Sequence, residues 1–340
     1  MRYSVLSKYR TELMGAAIFW VMLFHSYDLD LGFRLLNWVR AAGFGGVDIF
    51  ITLSSLGLVV SLSRREQEYS QFMRRRAERV LPAYYLVMIP YTIFFILYYK
   101  VGWNGLIWNC LLLYYWVRPR AAFNWYVAGS MTFYAVTPMC FRSLRRSRNR
   151  ELWTAAAVLI SEAVNVVLGA ENYWPYMDVG FRVPVFFIGL LLGFYVLEER
   201  RLGWKDILFW CFWLGLGAAY ILGRYFFQLE EYIPVCPLFL FSTVPMCLVL
   251  CWCFEHLPLG WPRRFLRLLG THSLEIYLLN VSLFSEIPLL RQIVSFGPSN
   301  RLYFLLSYAV NIAAGILLHK IVERLKGLWT GRKDRTLAAV

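Results

Sequence analysis

Long apolar blocks separated by short basic clusters are the feature that most constrains the fold of this chain. Hydrophobic residues make up 59% of its 340 residues, and the mean hydropathy is +0.51. Soluble domains usually contain roughly 45–50% apolar residues. A helix needs about 20 apolar residues to cross a bilayer, whereas membrane strands need alternation over about ten, which these blocks lack. The pattern therefore predicts an all-α integral membrane protein.

The positive-inside rule sets how the apolar blocks connect, because loops rich in Lys and Arg stay in the cytoplasm. An even number of crossings must separate the basic loops at 64–79 and 142–150, yet three apolar stretches lie between them. We assign the short stretch 101–117 as re-entrant or interfacial. About ten transmembrane helices and two cytoplasmic termini then satisfy every loop, in one domain over 1–340 with a basic tail at 326–340. The predicted spans are 12–29, 41–63, 80–99, 121–141, 152–170, 183–197, 207–223, 232–254, 268–286 and 302–321.

The other functional classes find little support in the composition. The net charge of +14 comes largely from loop residues that orient the chain, and no nucleic-acid recognition motif is present. The seven cysteines sit mostly inside apolar blocks and lack His or carboxylate partners at metal-site spacing, so we interpret them as apolar fillers and predict no metal. Neither a cleavable signal peptide nor a soluble-enzyme nucleophile motif is evident.

His25 closes an apolar run that begins at Leu13. A polar side chain within hydrocarbon usually faces a bundle interior or a wet cavity, and imidazole exchanges protons near neutral pH. From the residues alone, His25 is a catalyst, a gate or a polar residue at a helix end.

Two carboxylates are candidate partners in proton chemistry. Asp48 is predicted near the outer end of the second span, on the side where His25 leaves the bilayer, so it either orients the imidazole or caps a helix start. Glu275 and His272 are three residues apart and share a helix face, either as a structural pair or as part of a site.

A basic run at the start of the third span is either a topology signal that anchors anionic lipid or a phosphate site. Arg75 or Arg76 lies on the same helical face as Arg79, and Pro82 is expected to stop the run at the membrane edge. Clustered guanidiniums suit the phosphates of a cytoplasmic cofactor.

Taken in order, these segments resemble membrane acyltransferase family 3, whose bacterial members acylate envelope glycans. The resemblance covers nearly the whole chain. Residues 23–25 look like the L-F-H that ends the family's first helix, and 46–54 are similar to its G-V-D-x-F-F-x-L-S. The remaining matches are Arg75, Arg76, Arg79, Pro82 and Tyr84; Trp125, Phe133, Tyr134 and Pro138; Phe186, Gly189 and Gly193; and residues 270–279.

Three positions depart from the family pattern. Met14 stands where the family has a basic residue eleven before the histidine, and Arg10 is a candidate substitute. Ser130 replaces an acidic residue, and Asn280 replaces a histidine. These departures indicate a divergent branch.

The resemblance implies acyl transfer, with acetyl as the expected group, from cytoplasmic acyl-CoA to a hydroxyl of an envelope glycan or lipid-linked glycan, in the bacterial inner membrane. It assigns acid–base roles to His25, Asp48 and Glu275. It assigns donor binding to Arg75, Arg76, Arg79 and Tyr84, and substrate binding to Trp125, Ser54 and Arg182. No cofactor is expected to stay bound, and membrane lipids are the other expected partners.

Two other functions remain open from the sequence. Intramembrane His, Asp and Glu residues also mark proton-coupled transporters or flippases, although the two halves of the chain show no convincing repeat. The lost family residues also fit a non-catalytic membrane partner of an envelope assembly system.

Overall fold

Helices, joined by loops and turns, are the regular elements of the part of the chain that the computed structural model describes, residues 1–64, 67–228, 234–285 and 301–337. The start of the predicted span 232–254, the end of 268–286 and residues 338–340 of the tail lie outside that part. The longer helices are α2 (Arg10–Phe24), α4 (Gly46–Arg64), α5 (Tyr69–Tyr99), α8 (Trp125–Arg146), α9 (Arg150–Ala170), α11 (Val183–Leu197), α12 (Trp204–Phe226), α13 (Leu238–His256), α14 (Gly260–Thr271) and α16 (Arg301–Leu337). The shorter helices are α1 (Val5–Lys8), α3 (Arg34–Ala41), α6 (Asn104–Cys110), α7 (Tyr114–Val117), α10 (Met177–Gly180) and α15 (Ser273–Leu279).

Seven helical stretches of the described residues are long and apolar enough to cross a membrane, which agrees with an integral membrane protein. Each of the ten predicted blocks contains a helix, but α2, α8 and α15 are not among the seven. The 15 residues of α2 rise only about 22 Å, less than the roughly 30 Å of a hydrocarbon core. The count of ten crossings and the side of each terminus stay predictions.

The stretch 101–117 forms two short helices, α6 with seven residues and α7 with four. Leu112, at φ 59°, turns the chain between them. A seven-residue helix rises about 10 Å, so neither helix crosses the hydrocarbon core. This geometry fits a re-entrant or interfacial segment.

The basic run at residues 74–79 belongs to α5, which continues through Pro82 and Pro90. The expectation that Pro82 stops the run is therefore wrong. Proline is tolerated inside membrane helices because neighbouring groups satisfy the freed carbonyl. As a result, the arginines stand on the same continuous helix as the apolar segment that follows them.

Small residues allow the central helices to pack closely. Gly189 on α11 lies so near α4 that a Cβ atom there would be 2.5 Å from the carbonyl oxygen of Thr52, and one at Gly193 would be 2.5 Å from Val59. Close approach at small residues is the usual way for membrane helices to gain contacts. The F-x-x-G-x-x-x-G pattern of the sequence thus serves the α4–α11 interface.

A second close crossing joins α2 to α14. A Cβ atom on Gly15 would lie 1.8 Å from the carbonyl oxygen of Leu266, and one on Gly270 would lie 1.8 Å from that of Thr11. The helix is interrupted at His272, α15 follows, and the chain then widens into a π-helical turn at Asn280–Ser285. Residues 270–280 therefore run alongside α2, from Gly270 beside the start of α2 to Asn280 beside its end.

Candidate functional site

A polar cavity of about 240 Å³ lies where α2, α4, α5, α8, α14, α15 and α16 converge. Its walls combine cationic side chains with hydroxyl groups and tyrosine rings, a lining that suits an anionic ligand. The polar and charged lining residues are Arg10, Ser54, Arg76, Arg79, Tyr126, Ser130, Tyr134, Thr271, Ser273, Glu275, Tyr277, His319, Glu323 and Lys326.

Three guanidinium groups define this arginine cavity. Arg10 comes from α2 and is packed over Gly57, where a Cβ atom would lie only 2.9 Å from Arg10 Cζ. Arg76 and Arg79 come from α5, and Nη2 of Arg76 donates to Ser61 Oγ at 3.1 Å. The Nε atoms of Arg10 and Arg76 are buried without a hydrogen-bond partner among the described residues. The site therefore presents several unused donors to a ligand.

The carboxylates of the arginine cavity contact other groups. Glu275 is buried and accepts a hydrogen bond from Nδ1 of His319 at 2.9 Å, while Glu323 contacts Lys326 at 2.9 Å. The expected pairing of Glu275 with His272 is wrong, because the helix break leaves Nδ1 of His272 against the carbonyl oxygen of Leu268. The positive charge of the three arginines thus remains for an anion.

Arg75 and Tyr84 lie outside this cavity. Arg75 is exposed on α5, on a different face from Arg76. Tyr84 is buried, and its hydroxyl donates to the carbonyl oxygen of Asn109 at 3.0 Å, tying α5 to α6. Tyr84 therefore has a structural contact, and among the predicted donor-binding residues only Arg76 and Arg79 line the cavity.

His25 lies at the other end of α2, immediately after its last residue. Its Nδ1 is 2.5 Å from Oδ1 of Asn280, a residue 255 positions away in the chain. Beside this pair, Ser26 Oγ and the Tyr308 hydroxyl are 2.6 Å apart, and a cavity of about 20 Å³ borders both pairs. Fifteen residues of helix separate Arg10 from His25, a rise of about 22 Å. The two centres are therefore distinct.

Asp48 pairs with Arg182 and not with His25. The two side chains are almost fully buried, and Arg182 Nε is 3.7 Å from Asp48 Oδ2. The guanidinium also lies over the Trp125 ring, 5.1 Å from its centroid. A buried carboxylate needs a cationic partner, and Arg182 supplies it from the residue before α11. The predicted residues Asp48, Trp125 and Arg182 thus form a third cluster.

The three departures from the family pattern all fall at these sites. Met14 and Ser130 line the arginine cavity, together with the candidate substitute Arg10. Asn280 is the residue in contact with His25.

Sequence reasoning missed three residues of α16 in the cavity lining, His319, Glu323 and Lys326. The signal for His319 was present, because this imidazole directly follows the uncharged, mostly apolar run 302–318, much as His25 follows the apolar run of α2.

Comparisons with known proteins give a consistent result. A family described as an acyltransferase domain (Acyl_transf_3) matches residues 15–320. The chain is also 27% identical over 155 residues to "Acyltransferase MdmB" of Streptomyces mycarofaciens, a match that covers 41% of this chain. It spans only 38% of the length of that relative. No solved structure matches the chain significantly.

Proposed function

This chain belongs to acyltransferase family 3, and on that premise we propose that it transfers an acyl group, acetyl in the simplest case, from cytoplasmic acyl-CoA to a hydroxyl of a cell-envelope or extracellular glycan. The proposed location is the inner membrane of a bacterium. The acceptor is free or lipid-linked glycan.

The arginine cavity is the proposed donor site. Coenzyme A carries a diphosphate and a further phosphate on its ribose, and guanidinium groups bind phosphates through paired N–H donors. Arg10, Arg76 and Arg79 converge from two helices on one cavity. The buried Nε atoms of Arg10 and Arg76 lack partners among the described residues, and donor phosphate oxygens would supply acceptors for them.

His25 is the proposed general base at the acceptor end. The acceptor hydroxyl loses its proton to the imidazole as its oxygen attacks the thioester carbon. The tetrahedral intermediate then releases coenzyme A as the thiolate, which takes up a proton, while His25 returns its own proton to solvent. The long pantetheine arm of the donor connects phosphates at the arginine cavity with a thioester near His25, about 22 Å away along α2.

One observation carries this proposal: a single helix, α2, presents Arg10 to a phosphate-sized polar cavity at its first residue and His25 to a buried polar cluster just past its last. This arrangement separates the binding of the anionic part of the donor from the chemistry.

The test compares His25→Ala with the unaltered protein in lipid nanodiscs. Thiol release from acetyl-CoA and acylation of membrane glycans by mass spectrometry are measured together. A general base contributes about 10²–10⁴-fold, so the variant should lose that factor in kcat and still bind acetyl-CoA. His256→Ala is the matched control, since His256 is exposed at the end of α13 with Nδ1 against the carbonyl oxygen of Trp252. Wild-type turnover by a folded His25→Ala protein would refute the assignment.

A further inference from the structure

The contact between His25 and Asn280 is direct and short, and its Asn280 side is buried. Asn280 is 3% exposed, and its Oδ1 lies 2.5 Å from Nδ1 of the imidazole. A buried amide in an apolar bundle is costly unless its polar atoms are used. Here the amide oxygen of Asn280 contacts His25, the proposed general base.

The contact defines the tautomer of the imidazole. A carbonyl oxygen of an amide only accepts hydrogen bonds, so Nδ1 of His25 carries the proton and donates it to Oδ1 of Asn280. In a neutral imidazole the other nitrogen is then the acceptor. Nε2 therefore keeps a lone pair, which is the form that removes a proton from a hydroxyl.

The backbone around Asn280 is arranged to make this contact. The helix changes from α to π at Asn280, and single π turns inside helices occur frequently at functional sites. Just past this change, Ser282 is buried, and its Oγ donates to the carbonyl oxygen of Leu278 at 2.8 Å. This hydrogen bond stabilises the irregular turn.

Among the residues that the structure describes, the side chains lining the small cavity beside the ring of His25 are uncharged. The ring of Tyr27 is 6.4 Å away, Tyr303 and Tyr308 line the same small cavity, and Arg40 of α3 donates to the backbone oxygen of Ser26 at 2.9 Å. A neutral amide avoids the cost of burying a charged carboxylate beside the ring.

Building on the proposed function, we propose that Asn280 is a positioning residue that holds His25 with the proton on Nδ1 and the basic lone pair on Nε2. It does not touch the acceptor. It acts by making the imidazole a base in one defined orientation.

The first test reads the tautomer directly and does not depend on turnover. The chain contains four histidines, so ¹⁵N-histidine labelling gives few side-chain signals, and His25→Gln identifies those of His25. At a pH where the ring is neutral, we expect a protonated Nδ1 and an unprotonated Nε2, and a mixture of tautomers in Asn280→Leu. A protonated Nε2 in the unaltered protein, or the same spectrum in Asn280→Leu, would overturn the proposal even if no acyl-CoA were consumed.

The second test separates positioning from simple stability. Asn280→Leu should lower kcat by at least tenfold and leave the KM for acetyl-CoA unchanged. The loss should be smaller than the about 10⁴-fold seen where the imidazole of a catalytic triad is held in the wrong tautomer. Asn280→Asp keeps the acceptor and should recover most of kcat, with the acid limb of the pH–rate profile moved to higher pH because a carboxylate stabilises the protonated ring. Asn165→Leu is the matched control, since Asn165 is a buried amide on α9 that donates to Gly180. Equal kcat losses in Asn280→Asp and Asn280→Leu would contradict the proposal.

Discussion

Replacing Arg10 by Gln tests whether the arginine cavity binds the phosphates of the donor. The change removes one guanidinium charge from the cavity and leaves a shorter, neutral amide side chain. Hydrogen bonds to charged groups contribute about 1.5–3 kcal/mol, and 1.4 kcal/mol corresponds to a tenfold change in affinity. We therefore expect the KM for acetyl-CoA to rise by about 10- to 150-fold. The value of kcat should stay within about twofold, because His25 lies about 22 Å away along α2.

The exposure of each arginine predicts an order of effects. Arg10 and Arg76 are partly buried, whereas Arg79 and Arg75 are exposed. An exposed ion pair contributes only about 0.2–1 kcal/mol, so Arg79→Gln should raise KM by less than about sixfold. Arg75→Gln changes the same residue type in the same basic run but outside the cavity, and it should leave KM unchanged.

The assay is the initial rate of thiol release in nanodiscs across a range of acetyl-CoA concentrations, repeated with coenzyme A as a competitor. Because both acetyl-CoA and coenzyme A carry the phosphates, each variant should weaken the binding of both compounds by the same factor. Equal effects of Arg10→Gln and Arg75→Gln, or a loss confined to kcat, would refute the phosphate role of the cavity.

Two further changes test the packing that positions these sites, each by thermal or denaturant unfolding in detergent. Gly189→Ala should lower the free energy of unfolding by about 1–3 kcal/mol, because its Cβ would lie 2.5 Å from the backbone oxygen of Thr52, whereas Gly215→Ala, with nothing within 4 Å, should not lower it. Arg182→Gln should cost about 3–5 kcal/mol by leaving the buried carboxylate of Asp48 unpaired, and Asp48→Asn in the same protein should recover part of that loss.

The sequence predicted the helices well because apolar runs and basic loops are local signals. Each predicted span contains a helix, and 101–117 does not form one long enough to cross. The basic run was harder. Spacing alone allowed either Arg75 or Arg76 to share the face of Arg79, and only the packing of α5 against its neighbours selects Arg76.

The partners of the buried polar groups could not be predicted in the same way. Asp48 and His25 are both predicted near the outer side of the membrane, yet Asp48 contacts Arg182 and His25 contacts Asn280. Such contacts depend on how distant helices approach one another, and a single sequence carries no local trace of that approach. Arg10 is an intermediate case, since the family pattern placed a cation near Met14 and the structure turns the Arg10 side chain into the cavity.

The close crossing of α2 and α14 at Gly15 and Gly270 has a consequence for register. Arg10 begins α2 and His25 directly follows its last residue, so a single-residue insertion between Gly15 and His25 would rotate His25 by about 100° relative to Arg10 and move it about 1.5 Å along the axis. The close crossing holds α2 against α14 at Thr11 and Gly15. The displacement would therefore fall on the residues of α2 after the insertion. The imidazole would then turn away from Asn280 while Arg10 kept its place. The length of α2 therefore sets the position of His25 relative to Arg10, and we expect substitutions in α2 to be tolerated far better than insertions or deletions.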